Sequence, residues 1–239
     1  YSVNKMMDVR TSILMDGQSQ MEELHHYPAN VTLSPISEPK DWGFEVPAGA
    51  KEITWLQLFG KMPKPCLILK NEQGIYDRVA IYKNKKESAP LYILENEKFT
   101  TGILDETYKD EKIVTANRNM RLMDLEEDGS KFKLYVSPTM DITMNAFWSP
   151  KSLYQTIVAN VGYPTPTSMI YGKDIDIKAK TMLASWQASA KWQADSLNYL
   201  MKNEGYEMVF SHFHNVDLQG HTYLTFIPDG TEQFGVEKI

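Results

Sequence analysis

"RLMDLEEDGSKFKLYVS" occupies residues 121–137, and its reading decides what kind of chain this is. Asp128-Gly129 is the pair that a tight primed turn wants, because glycine accepts positive φ without a steric cost. Beyond it Phe132, Leu134 and Val136 alternate with Lys131, Lys133 and Tyr135. Side chains on a strand alternate between faces, so this order gives one apolar face. The stretch predicts an antiparallel hairpin.

Upstream, short runs of the same style recur. "EITWLQLF" (52–59), "CLILK" (66–70), "DRVAIYK" (77–83), "PLYILE" (90–95) and "KIVTANRNM" (112–120) are rich in Ile, Val, Leu, Tyr and Phe. Gly, Pro, Asn and charged residues separate them, which is strand punctuation. Residues 51–145 therefore read as a mostly antiparallel β-rich region. Residues 1–50 carry Pro28, Pro35, Pro39 and Pro47 and read as an irregular arm or connecting segment. Within it, Met6 to Met21 suits a short helix or an extended arm.

Downstream the period changes. In "SPKSLYQTIVANVG" (149–162) Ser149 is the expected N-cap and Pro150 the first helical residue. Leu153, Tyr154, Ile157, Val158 and Val161 form one helical stripe, with Gly162 as the stop. After the loop "YPTPT" a longer helix is expected from Asp176 to Asn203. Met182, Leu183, Trp186, Ala190, Leu197, Leu200 and Met201 make its apolar stripe; Trp192 lies off it and should meet another surface. Gly205 ends the helix, and "YEMVFSHFH" (206–214) then reads as a buried strand. Helix, turn, buried strand and polar residues is the α/β order, so residues 146–239 are expected to be an α/β segment.

Composition narrows the function. Of the 239 residues 42% are hydrophobic and 23% charged, with a formal net charge of −6. That balance suits a globular chain and disfavours a nucleic-acid polymer as partner, which needs clustered Lys and Arg. No run approaches the roughly 18 apolar residues of a membrane span. The single cysteine, Cys66, can form neither an internal disulfide nor a cysteine-rich zinc site.

Three of the five histidines gather in "FSHFHNVDLQGHTYL" (210–224). Asp217 and His221 are four apart, a spacing that lets both side chains face one point on a helical turn. Carboxylate oxygen and neutral imidazole are zinc ligands, and two ligands leave the remainder of a tetrahedral site to come from elsewhere. Gly220 permits close backbone approach. In sheets of the α/β kind, ligands bind at the carboxyl ends of strands, which is where the expected strand puts this cluster. His212 and His214 alternate along the strand end. They read either as partners of the ligands or substrate contacts, or as an ordinary polar strand end.

Asp217, Gly220 and His221 make an Asp-x-x-Gly-His segment. With the Trp-containing helix before it, the segment resembles the alkaline phosphatase superfamily, most closely the type I phosphodiesterase/nucleotide pyrophosphatase branch. The stretch 121–162 also resembles the region preceding that motif in bacterial members, so the resemblance covers about 120–225. It implies an alkaline-phosphatase-like α/β core, which this chain, α+β by itself, would share in part, with 51–145 as an inserted cap. It implies a two-metal phosphoric ester hydrolase, with zinc the usual ion, in which Asp217 and His221 hold one ion. It also implies a Thr or Ser nucleophile and a small phosphate ester or nucleotide-like substrate. No segment matching that nucleophile occurs here, and no Asp-His-Gly motif follows His221. Asn215-Val216 stands where nucleotide pyrophosphatases often have an acidic residue and proline. With Tyr1 at its start, the chain is expected to be an internal piece of a longer polypeptide, inactive by itself and partnered by the remainder. The competing expectation is a non-catalytic interaction or regulatory domain whose histidine cluster is structural.

Overall fold

The computed structural model describes residues 13–16, 21–23, 36–56, 63–109, 112–137, 139–143, 148–167, 179–213, 215–217 and 220. The 121–137 stretch forms antiparallel pairing, with a wider connection than a two-residue turn. Strand β8 (Lys112–Met123) pairs with β9 (Lys133–Val136) from Met120↔Val136 to Met123↔Lys133, leaving residues 124–132 as the connection. Gly129 has φ +65°, and its N–H donates to the Glu126 carbonyl at 2.8 Å. A Cβ there would stand 2.8 Å from carbons of the Tyr76 ring, so both backbone and space require glycine. Phe132, Leu134 and Val136 are buried together, as the alternation predicts. Tyr135, on the opposite face, is buried as well and stacks on Phe99 with centroids 6.3 Å apart.

Around this hairpin a six-stranded sheet assembles. It contains β1 (Ile13–Asp16), β2 (Met21–Glu23), β7 (Phe99–Lys109), β8, β9 and β10 (Met140–Asp141). A second sheet is a meander of β3 (Lys51–Leu56), β4 (Pro63–Lys70), β5 (Tyr76–Ile81) and β6 (Tyr92–Glu95). Every pair within both sheets is antiparallel. The main core lies between the sheets: Ile53, Ile68, Val79, Ile81 and Leu94 meet Ile103, Met120, Leu122, Leu134 and Val136. Cys66 is enclosed in the same layer at 2% exposure.

The outer face of the four-stranded sheet is covered by the segment just before it. Trp42, Phe44 and Val46 pack on Leu67, Ala80 and Tyr82. Glu52 ties that cover down, accepting from the Lys40 N–H at 2.9 Å and Trp42 Nε1 at 2.8 Å and pairing with Lys85. Burial pushes the Glu52 carboxyl up, but these donors outweigh it and hold it below its ordinary value.

Helices α1 (Ser152–Asn160) and α2 (Ala184–Asn203) lie on the other face of the six-stranded sheet; a π-helical turn (Ala179–Leu183) leads into α2. Alternation along β8 explains this. Met120 and Leu122 point into the main core, so Asn117, Asn119 and Arg121 point the other way. Asn117 Nδ2 donates to the Pro164 carbonyl at 2.8 Å, and Asn119 Nδ2 to the Pro166 carbonyl at 2.9 Å. Ser185 Oγ donates to that same Pro166 carbonyl at 3.1 Å, and Arg121 Nη1 to the Lys180 carbonyl at 2.8 Å. Met140, Trp148, Tyr154 and Ile157 form an apolar cluster beside them, with Trp192 packed on it. Trp192 Nε1 donates to the Gly162 carbonyl at 2.9 Å, which is the second surface expected for it. Antiparallel sheets with helices gathered on one face make an α+β chain.

Of the two readings for Met6 to Met21, the described residues there, in strands β1 and β2, are extended. Two readings need correction. Helix α1 starts at Ser152 with Lys151 as N-cap and no side-chain cap bond, not at Ser149-Pro150. The buried strand expected at 206–214 does not form over 206–213. Met208 is 71% and Phe210 91% exposed. A strand needs a neighbour to take its backbone hydrogen bonds, and among the described residues none pairs with 206–213.

Candidate functional site

The candidate segment leaves α2 through Gly205, at φ +70°, and turns back along the helix. Gln193 Nε2 donates to Ser211 Oγ at 2.7 Å and to the His212 carbonyl at 2.8 Å. Asn215 Nδ2 donates to the Trp186 carbonyl at 2.9 Å. Trp186 and Gln193 are seven residues apart, two turns of helix, so they lie on one face of α2. Residues 215–217 and Gly220 are helical.

His212 and Asp217 are both exposed on this segment. His214 and His221 lie outside the described residues, so the structure gives no separation for the Asp217/His221 pair. Among the described residues no group of three or more His, Cys, Asp and Glu is arranged to hold a metal ion. An exposed carboxylate on a helical turn is the right donor chemistry for zinc, but one ligand does not make a centre. A Cβ at Gly220 would meet no atom within 4 Å. No described neighbour therefore demands glycine there.

A second polar cluster differs in kind. Asp105 sits between the sheets with Arg118 Nε at 3.1 Å from one oxygen and Lys64 Nζ at 3.6 Å from the other. The three side chains are at most 4% exposed. Burial first, and the Asp105 charge after it, push the nearby Tyr92 phenol well above its ordinary value. Enclosed charges already matched to one another are a structural network; nothing from solvent reaches them.

The anchors Gln193 and Asn215 were not singled out by sequence reasoning as functional. Gln193 is one polar residue among several on a helix, and nothing local marks it. Asn215 carried a signal, because it occupies a position where the resembled branch has a different residue type. No family model, no curated protein and no solved structure matches this chain.

Proposed function

We propose that this chain is part of a two-metal phosphoric ester hydrolase of the phosphodiesterase/nucleotide pyrophosphatase kind, within an alkaline-phosphatase-like α/β core. The observation that carries the reading is the Asp217-x-x-Gly220-His221 segment, with its carboxylate exposed on a helical turn. Asp217 and His221 would hold one of two divalent ions, zinc in the family's usual form. When bound, such ions supply charge stabilisation to the attacking and leaving oxygens of an in-line displacement. The nucleophile is a Thr or Ser outside this chain. Residues 51–145 form a cap that helps choose a small phosphate ester or nucleotide-like substrate.

The test is turnover of p-nitrophenyl phosphate and bis-p-nitrophenyl phosphate with zinc or manganese. The 239-residue chain should hydrolyse neither faster than buffer. In the longer polypeptide, Asp217→Asn and His221→Ala should each remove most turnover without unfolding it. Full activity in both variants removes Asp217 and His221 from the metal site, and with them the basis of this reading. Metal-dependent turnover by the short chain would show that the nucleophile lies within it.

One observation favours a second reading, a non-catalytic interaction domain. Met208, Phe210 and Val216 are 71%, 91% and 85% exposed on consecutive parts of one segment, and exposed apolar runs mark contact surfaces. A folded longer polypeptide with no turnover and no zinc uptake would favour it.

A further inference from the structure

We infer that Gln193 and Asn215 are positioning residues that clamp the metal motif onto α2; the inference rests on the hydrolase reading for its purpose, though not for its geometry. Among the described residues, 206–213 pair with no strand, and side-chain contacts set the course of the segment that leads to Asp217. The two carboxamides do this from opposite sides. Gln193, on the helix, reaches out with its Nε2 to Ser211 Oγ at 2.7 Å and the His212 carbonyl at 2.8 Å. Asn215, on the segment, reaches back with its Nδ2 to the Trp186 carbonyl at 2.9 Å. A carbonyl has two lone pairs, so Trp186 can serve its helix bond and Asn215 together. The clamp brackets 211–215, and Asp217 follows two residues later.

The far side of the clamp is rigid. Trp186 is 6% exposed, and its neighbour Ser185 is fully buried, with its hydroxyl on the Pro166 carbonyl. Asn119 of β8 donates to that same carbonyl at 2.9 Å. A continuous chain of hydrogen-bonded groups thus runs from the six-stranded sheet through Pro166 and the start of α2 to Asn215. The consequence is a stated role for the departure at position 215. An acidic residue there has no N–H to give the helix carbonyl, whereas asparagine has two. In this chain the position two residues before Asp217 serves orientation, as the partners of metal ligands elsewhere do.

The experiment uses the full chain and reads two signals. Hydrogen exchange of amides 211–217 is compared for wild type, Asn215→Leu, Gln193→Met and Gln193→Lys, with α1 and β8 amides as the control for folding. Zinc affinity is measured by calorimetry on the longer polypeptide carrying the same substitutions, with Asp217→Asn beside them, because two ligands alone do not make a zinc site. The clamp requires exchange over 211–217 to rise about three- to tenfold in Asn215→Leu and Gln193→Met, the range that loss of one ordinary hydrogen bond gives. Gln193→Lys keeps N–H donors at similar reach and should restore most of the protection. Zinc affinity should fall several-fold in both donor-free variants, although neither touches a ligand. Unchanged exchange over 211–217 in both variants overturns the clamp. Loosened exchange with unchanged zinc affinity overturns its positioning role. Wild type that binds no more zinc than Asp217→Asn ends the metal reading itself, and the clamp then stands or falls on exchange.

Discussion

Gly129 and Gly74 show how the same dihedral carries different weight. Both have positive φ, +65° and +83°, but a Cβ at Gly129 would meet the Tyr76 ring while one at Gly74 would meet nothing within 4 Å. Gly74→Ala should therefore cost about 1 kcal/mol, the left-handed penalty alone. Gly129→Ala adds overpacking and should cost about 2–4 kcal/mol; urea unfolding of the pair measures the difference. Charged residues divide in the same way. Asp105 is fully buried between two cations, and Asp105→Asn should destabilise by about 3–5 kcal/mol, because it leaves Lys64 and Arg118 underpaired. Lys98 and Glu95, at 60% and 62% exposure, also pair, yet Lys98→Ala should change stability by less than about 1 kcal/mol. None of this shows in the sequence, where nothing local separates Asp105 from Glu95. Burial is what separates them, and burial is decided by residues far away in the chain.

At the scale of elements, strands with strong alternation or a dense β-branched run were legible: β3, β4, β5, β6 and β8 fall on the expected runs. The eleven-residue β7 (Phe99–Lys109) was not. It lies within the expected β-rich region but between the runs 90–95 and 112–120, where Thr100-Thr101-Gly102 and Asp105-Glu106 marked no run of their own. The register shift between Thr100 and Ile103, at Gly102 with φ +71°, breaks the alternation a reader looks for. The opposite error occurred at 206–210. An apolar run says that a segment could be a strand, but not that a partner is there to receive it. The π-helical turn at 179–183 was also invisible, and it is tied down from outside. Lys180 Nζ lies 3.2 Å from Glu97 and 3.3 Å from Asp124, two acids themselves at positive φ. Burial pushes Glu97 up, but the Asp124 N–H, Lys180 and Arg121 outweigh it and hold it low. Lys133 first, and Lys180 after it, hold Asp124 low. Lowered carboxyl values mean stability that is complete above the ordinary range, about 3.9 for Asp and 4.3 for Glu, and lost as pH falls through the folded values. Lys180→Met should raise both carboxyl values toward ordinary and shift acid unfolding to higher pH, by a small amount because the groups are partly exposed. Carboxyl NMR titration reads the first, and circular dichroism against pH the second.

The whole molecule is a sandwich with its helices fastened to one outer face, and its apolar surplus lies at the end of the described chain. Phe210 is 91% exposed, so Phe210→Ser should leave the unfolding free energy, read by urea titration, within about 0.5 kcal/mol of wild type. A loss of about 3–5 kcal/mol, the cost of emptying a core Phe site, would mean that this side chain is enclosed in solution. The motif at 217–221 was legible as residues, but its setting was not, because side-chain clamps such as Gln193 to His212 leave no periodic trace. Enclosure also gives the molecule a clock. Cys66, the one thiol, sits between the sheets at 2% exposure, its Sγ 3.4 Å from the Lys64 carbonyl. A thiol reagent can reach it only when the sheets part. Its modification rate, divided by that of the unfolded chain, therefore gives the fraction of time the sandwich stands open. The measurement needs no introduced label and counts no other event in the chain.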